Sequence, residues 1–180
     1  MIVIPHGGPH GVYDTYGFDG EIQLLANQGY AVLQVNFRGS GGRGRAFQAA
    51  GYGEWGEKMQ DDITDAVKWT IAEGTADPNR ICIFGASYGG FAALSGVTRD
   101  PDLYRCAVGY VGVYDLNLMF DKGDIQSVAF GMNYLKRVLG TDTADLTRRS
   151  PVNHADNIKV PVLLIHGKLD ERAPIEHSIA

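Results

Sequence analysis

Short apolar runs alternate along this chain with segments of helical periodicity, and each run stops at a stretch rich in glycine or other turn residues. An unbroken apolar run is typical of a strand buried on both faces, and strands that alternate with helices form a parallel sheet. The pattern predicts an α/β protein with a mostly parallel sheet covered by helices on both faces. The five predicted strands cover residues 2–4, 30–37, 80–84, 106–113 and 160–165.

The predicted helices follow from apolar residues at spacings of three and four. Met59, Ile63, Val67 and Ile71 place one apolar stripe on a helix that Gly74 ends. Residues 114–127 are the least regular segment, and their 121–124 portion is interpreted as an exposed loop tip, with an active-site flap as the alternative. Further helices are predicted around 18–25, 91–97 and 133–139.

The length and the charge exclude several classes of protein. A chain of 180 residues is expected to form one domain, and its net charge of −5 provides no cationic surface for nucleic acid or an anionic membrane. No apolar run approaches the roughly 20 residues of a membrane span. The first residues have no basic region or cleavage signature, so no targeting signal identifies a compartment.

The two cysteines and the glycine-rich loops do not indicate a metal or a cofactor. Cys82 and Cys106 cannot supply a four-ligand zinc site, and they are predicted to be buried thiols because they lie in apolar runs. Residues 39–44 are glycine-rich but lack the G-K-[ST] ending of a phosphate loop and the spacing of a dinucleotide fingerprint. We therefore expect no cofactor, no metal and no nucleotide.

The chemically most informative motif is G-x-S-x-G at residues 85–89, with Ser87 at its centre. A strand is predicted directly before it and a helix of small residues directly after it. A nucleophile elbow requires this arrangement, since it holds a serine at a sharp strand-to-helix turn. The alternative is a tight packing turn with an incidental serine. We interpret Ser87 as a nucleophile.

A serine nucleophile needs hydrogen-bond donors for the oxyanion that forms during acyl transfer. The backbone N–H of Tyr88, at the start of the predicted helix, is one candidate. The second donor in such sites comes from a glycine loop after an earlier strand, and the loop at residues 6–9 has this position. Gly8 is the candidate in that loop, with an ordinary turn as the alternative.

The triad acid is expected just beyond a later strand. Asp170 follows the last predicted strand, and Asp115 follows the strand before it and is its rival. The chain order Ser, Asp, His favours Asp170. The base is then missing: His177 is the only histidine after Asp170, and it lies in a predicted helix start, whereas His166 is interpreted as a structural residue.

Five motifs follow one another along the chain: HGGP at 6–9, NFRGSGG at 36–42, GASYGG at 85–90, SPVNH at 150–154 and PVLLIHGKLDERAP at 161–174. In this order they resemble the catalytic domain of prolyl oligopeptidase-type serine peptidases, in their acylaminoacyl-peptidase and dipeptidyl-peptidase-like branch. The resemblance covers essentially the whole chain, and five ordered motifs are far more specific than any one of them.

The resemblance implies an α/β-hydrolase fold, Ser87 as nucleophile, Asp170 as the acid, and an oxyanion hole from Tyr88 and Gly8. It also implies that the loop after the strand that follows the nucleophile lines a substrate pocket. On this chain the pocket residues would be Val113, Leu116 and Met119, and Phe120 is a further candidate; periodicity alone would assign them to the core.

Two departures from the family pattern predict a fragment. The family's catalytic histidine lies well beyond the acid, and no residue of this chain matches it. The family's N-terminal β-propeller and the first strands of a complete hydrolase sheet are also unmatched. We therefore expect residues 1–180 to form a partial catalytic domain, with about five central strands, cut from a peptidase of short peptides.

Two other functions stay open at this point. An esterase-type acyl hydrolase uses the same triad chemistry, and a non-catalytic domain could keep the fold without the base. The expected partners are a short peptide substrate and, in a longer protein, the propeller domain. Oligomerisation stays open as well.

Overall fold

All 180 residues are described by a computed structural model, and its centre is one sheet of five parallel strands. The strand order is β2-β1-β3-β4-β5, so β1 lies between the second and third strands of the sequence. The predicted α/β class and the number of strands are confirmed. The strands are β1 (Ile2–Ile4), β2 (Val32–Gln34), β3 (Cys82–Ala86), β4 (Cys106–Tyr110) and β5 (Val162–Ile165).

Eight α-helices and one 3-10 helix accompany the strands, against the roughly four helices that periodicity identifies. The additional helices are short, and several lie in the segment between β4 and β5. The helices are α1 (Gly20–Asn27), α2 (Arg45–Ala49), α3 (Lys58–Ala72), α4 (Tyr88–Arg99), α5 (Leu118–Asp121), α6 (Ala129–Leu139), α7 (Thr143–Arg149) and α8 (Glu176–Ile179), and the 3-10 helix is Pro151–Asn157.

Strand β2 is shorter than the predicted run at 30–37. Only residues 32–34 pair with β1, because β1 itself has three residues before Pro5. Proline has no N–H for a sheet ladder, so the pairing ends there. Beyond β2, Val35 packs against the core and Phe37 is 1% exposed, whereas Tyr30 before β2 is 51% exposed.

One face of the sheet is thickly covered. Every residue of α4 from Tyr88 to Thr98 is buried, and this helix packs on β3 and β4. Its glycines, alanines and serine let its backbone approach the strands closely. Val3, Ile83 and Ala107 point toward this face and are at most 1% exposed.

The opposite face is covered only in part. Leu25 of α1 lies at one side of a shallow cavity of about 750 Å³ that is also lined by Ile2, Phe84 and Val108 from three strands. Helices therefore lie on both faces, as predicted, but unequally. The β5 edge is also open: Leu163, Leu164 and Ile165 are 40–55% exposed.

The prediction of two thiols is wrong, because Cys82 and Cys106 form a disulfide. Strands β3 and β4 are neighbours, and their register places Cys82 directly opposite Cys106 with 4.8 Å between the Cα atoms. That separation lies in the range a disulfide spans. The predicted burial is also only partial, since both cysteines line the cavity on the less covered face of the sheet. The strand register, which short apolar runs do not encode, brings the two sulfur atoms together.

Candidate active site

Ser87 lies at a sharp turn between the end of β3 and the start of α4. Its backbone has φ 57° and ψ −118°, a conformation that a residue with a side chain adopts at an energetic cost. Strained backbone of this kind concentrates at functional sites, where surrounding contacts hold it. The Ser87 N–H donates to the Tyr110 carbonyl oxygen of β4 at 3.0 Å, which anchors the turn to the sheet.

Three glycines make this turn sterically possible. A Cβ on Gly85 would overlap the carbonyl group of Gly89, and a Cβ on Gly89 would overlap the carbonyl oxygen of Pro5. A Cβ on Gly90 would come within 2.8 Å of the Gly112 Cα. The motif's glycines are therefore needed because backbone passes directly against backbone on each side of the serine.

The glycine loop after β1 lies beside Ser87. A Cβ on Gly7 would be 3.6 Å from the Ser87 Cβ, and Gly8 lines the same cavity as Ser87. The Gly8 N–H donates no hydrogen bond within the chain, and the Tyr88 N–H lies in the first turn of α4, where helix donors have no partner in the helix. Neither of the two candidate N–H groups is therefore used by another backbone group of the chain.

Asp170 lies in the loop after β5, held by that loop's own backbone. Its Oδ1 accepts hydrogen bonds from the Arg172 N–H and the Ala173 N–H, each at 2.9 Å. Its Oδ2 lies 4.0 Å from His166 Nε2 and makes no hydrogen bond within the chain. One carboxylate oxygen therefore orients the side chain, and the other is able to accept an N–H. Arg172 and Ala173 also line the Ser87 cavity.

The rival acid, Asp115, has a different position. Its Oδ1 accepts from the Asn117 N–H at 2.9 Å, so it closes a local turn after β4. Neither Asp115 nor Asp170 itself lines the Ser87 cavity, but Asp170 is held by the backbone of Arg172 and Ala173, which do line it.

The two histidines near the end of the chain are both engaged elsewhere. His166 contacts the Ser178 Oγ at 2.7 Å and the Ala173 carbonyl oxygen at 2.6 Å. His177 is 3% exposed, and its Nδ1 accepts from the N–H groups of Tyr114 and Asp115 at 3.3 Å. Burial lowers the pKa of His177 to about 4, so this ring is neutral at physiological pH.

The other three histidines make structural contacts as well. His6 bonds the Ser40 Oγ at 2.7 Å, and His10 accepts from the Trp55 indole at 3.1 Å. His154 donates to the Arg148 carbonyl oxygen. None of the five histidines forms a hydrogen bond with Ser87, so none is positioned in this structure as its base.

The cavity beside Ser87 has a volume of about 680 Å³ and mostly apolar walls. Of the pocket residues that the resemblance implies, Val113 and Met119 line this cavity. Leu116 does not: it is fully buried in the core, with 0% exposure, and donates its N–H to the Ser150 Oγ. Phe120 also lies outside the lining. The other large apolar side chains of the wall are Trp55, Ile125, Val128, Phe130 and Tyr134.

Residues 16–180 match the model of the prolyl oligopeptidase family. This chain belongs to the prolyl oligopeptidase family. The family assignment rests on nearly the whole sequence, and the predicted α/β-hydrolase fold agrees with the solved structures that resemble it.

Two curated relatives illustrate the range of this family. The chain is 44% identical over 177 residues to dipeptidyl aminopeptidase BIII of Pseudoxanthomonas mexicana, covering 96% of this chain and 25% of that protein. It is 31% identical over 184 residues to the acylamino-acid-releasing enzyme of Sus scrofa, covering 99% of this chain and 25% of that protein. The chain thus spans about a quarter of the length of the relatives it matches.

Two solved structures share the fold of this prolyl oligopeptidase family chain. The acylaminoacyl peptidase of Pyrococcus horikoshii has a TM-score of 0.88 and 34% identity, with 99% of this chain and 29% of that chain covered. A puromycin-hydrolyzing peptidase of Mycobacterium tuberculosis has a TM-score of 0.91 and 32% identity, with 99% and 27% covered.

Sequence reasoning missed most of the cavity wall of this prolyl oligopeptidase family chain. Trp55 precedes α3 in a loop, and Phe130 and Tyr134 lie on α6, far along the chain from Ser87. No local pattern connects them to the nucleophile. The one available signal was the irregular segment 114–127, whose 121–124 portion was interpreted as a loop tip or a flap. Asp124 of that portion and Ile125 beside it line the cavity.

The structure contains no arrangement of side chains suited to a metal ion and no helix suited to a membrane span. No group of three or more His, Cys, Asp or Glu side chains is arranged to hold a metal ion. None of the helices has both the length and the apolar character that a membrane crossing requires.

Proposed function

We propose that this chain forms part of the catalytic domain of a serine peptidase that hydrolyses short peptides through an acyl-enzyme. The observation that carries the proposal is the positive backbone φ of Ser87 at the β3–α4 turn, together with the position of Ser87 and Gly8 on one mostly apolar cavity. In this proposal the Ser87 hydroxyl and the N–H groups of Tyr88 and Gly8 act on the same bound carbonyl group. The choice of substrate is supported by the relatives, which include a dipeptidyl aminopeptidase and an acylamino-acid-releasing enzyme.

In the proposed reaction the Ser87 Oγ attacks the scissile carbonyl carbon while its proton passes to a histidine. The tetrahedral oxyanion accepts hydrogen bonds from the N–H groups of Tyr88 and Gly8. The histidine then gives the proton to the departing amine as the C–N bond breaks, which leaves an ester on Ser87. Water, deprotonated by the same histidine, hydrolyses that ester and restores the serine.

The base in this proposal is a histidine outside the five of this chain. The contacts of those five support this, since each is engaged away from Ser87. Asp170 would orient the base through its Oδ2, which makes no hydrogen bond within the chain. The acid's other oxygen is held by two backbone donors, so the carboxylate is preorganised. A propeller domain in the longer protein belongs to the same proposal.

The apolar cavity supports an uncharged, apolar side chain on the residue whose carbonyl is attacked. Val113 and Met119 line the part of the wall that follows β4, and Trp55 and Tyr134 lie among the other wall residues. Leu116 is left out of this proposal because it is buried in the core.

A fluorophosphonate probe tests the proposal directly, because it reacts with activated serine nucleophiles. The longer protein that contains these residues should gain one probe mass at Ser87, and the isolated 180-residue chain should not. Ser87→Ala is the matched control and should gain none. Labelling of the isolated chain at the same rate would place the base among its own histidines, and no labelling of the longer protein would refute the peptidase.

A substrate panel on the longer protein separates a peptidase from an esterase. Aminoacyl and dipeptidyl p-nitroanilides should be hydrolysed, with apolar residues before the cut preferred over charged ones. Hydrolysis of fatty-acyl esters with no cleavage of any anilide would instead support the esterase-type alternative.

A further inference from the structure

A hydrogen bond outside the proposed triad connects the glycine loop to the cavity wall. The Trp55 indole N–H donates to His10 Nε2 at 3.1 Å. His10 follows Gly8 by two residues, and Trp55, 3% exposed, lines the Ser87 cavity. The contact therefore joins two segments that are 45 residues apart in the sequence.

The surroundings of His10 keep this ring in the state that can accept a hydrogen bond. An imidazole nitrogen accepts only when it has no proton, so the neutral ring must carry its hydrogen on Nδ1. The rings of Tyr52 and Tyr134 meet His10 edge-on, with centroids 5.0 and 6.2 Å away. Burial lowers the pKa of His10 to about 4, which leaves the ring neutral at physiological pH.

Trp55 extends the connection to the second candidate oxyanion donor. Its indole packs edge-on against the Tyr88 ring, with centroids 4.6 Å apart. Tyr88 provides the backbone N–H at the start of α4, and Gly8 provides the other. Trp55 therefore connects the Gly8 loop to Tyr88, through its hydrogen bond to His10 and its aromatic contact with the Tyr88 ring. The Trp55 ring has little freedom to move without disturbing these two contacts.

We propose that His10 is a positioning residue for acyl transfer: through its hydrogen bond to Trp55 it holds the Gly8 loop and Tyr88 in the spacing that lets both N–H groups reach one oxyanion. This inference rests on the proposed function, because it concerns the same oxyanion hole. His10 touches neither substrate nor reacting atoms, and its effect is carried by Trp55.

The test uses kinetics of the full-length enzyme on one apolar dipeptidyl p-nitroanilide. His10→Leu removes the acceptor at similar volume, and Trp55→Phe removes the donor while keeping an aromatic ring. Each should lower kcat about tenfold with KM within about twofold, since donor spacing matters most in the transition state. The double variant should be no more than about twofold below either single variant, because both remove one contact.

His10→Gln is the matched control. Its amide places an acceptor near the position of Nε2, so kcat should stay within about threefold of the wild type. A general packing role would instead make His10→Gln as damaging as His10→Leu. Melting temperatures of all variants are measured alongside, and if His10→Leu does not fold, Trp55→Phe and His10→Gln still decide the question.

The outcomes separate this inference from the proposed function. A full-length wild type that hydrolyses no peptide overturns both. An active wild type in which Trp55→Phe or folded His10→Leu keeps its kcat overturns the positioning role alone. A loss confined to KM, or losses that multiply to about a hundredfold in the double variant, would also overturn it.

Discussion

The Ser87 N–H donates to the Tyr110 carbonyl oxygen at 3.0 Å, one residue beyond the last paired position of β3. The ladder between β3 and β4 thus continues into the strained residue and holds it where α4 begins. The candidate nucleophile is therefore held by the sheet on one side and by α4 on the other.

Gly89→Ala should destabilise the fold by about 2 kcal/mol or more, because the new Cβ would overlap the Pro5 carbonyl oxygen. Urea unfolding monitored by circular dichroism measures the change. Gly20→Ala is the control: its Cβ meets nothing within 4 Å and its φ is not positive. Equal stability of the two variants would contradict the backbone-packing argument for the elbow.

Asp170→Asn should lower kcat of the full-length enzyme by roughly 10³–10⁴ with little change in KM, because an amide no longer orients and stabilises a protonated histidine. Asp115→Asn should stay within about threefold, since its Oδ1 keeps the turn contact to Asn117. Steady-state kinetics on a dipeptidyl anilide compares them. A larger loss in Asp115→Asn would make Asp115 the acid.

Stability should fall as the pH drops from about 6.5 toward 4. The pKa values of His10 and His177 are both lowered to about 4 by burial, so in this window the unfolded chain binds protons that the folded chain does not. At about 1.4 kcal/mol per pKa unit, each ring accounts for a loss of up to about 3 kcal/mol in the free energy of unfolding. Urea unfolding at pH 7.5, 5.5 and 4.5 measures the slope.

A single variant isolates one of the two histidines. His177→Gln keeps an acceptor for the backbone N–H groups of Tyr114 and Asp115 but cannot titrate in this range. Its stability should therefore depend less steeply on pH than that of the wild type. An unchanged slope would show that His177 does not contribute.

Reduction of the Cys82–Cys106 disulfide should cost about 3 kcal/mol of stability, since the bond closes a loop with a sequence separation of 24 in the unfolded chain. Unfolding with and without dithiothreitol measures the difference. The Cys82→Ala/Cys106→Ala variant should match the reduced protein and should not respond to dithiothreitol. Free thiols in the untreated, unfolded protein would contradict the pairing.

Leu163→Lys should reduce self-association of the isolated chain. Leu163 is 55% exposed on the edge strand β5, where apolar, unpaired edges promote aggregation. Leu24→Lys is a matched control, since Leu24 is 61% exposed but lies on α1. Scattered light intensity at increasing protein concentration should fall below that of the wild type for Leu163→Lys only. An equal fall for both variants would point to general surface hydrophobicity.

The elements closest to Ser87 were the ones that local sequence predicted well. The run before Gly85 and the small residues after Ser87 predict a strand, a turn and a helix, since each depends on neighbours only a few positions away. The same reasoning overextended the run at 30–37, because the length of β2 is set by its partner β1, which ends at Pro5.

The local sequence determined the alternation of strands and helices and the need for glycine around Ser87. It also determined that a serine hydroxyl and an aspartate carboxylate, Ser87 and Asp170, follow the ends of strands. Tertiary structure decided which of those residues meet. The register of β3 and β4 joins Cys82 to Cys106, and the folding of α6 against the loop before α3 brings Tyr134 and Trp55 to one cavity. These are contacts between distant segments, set by packing of the whole chain, and no periodicity within a short window encodes them.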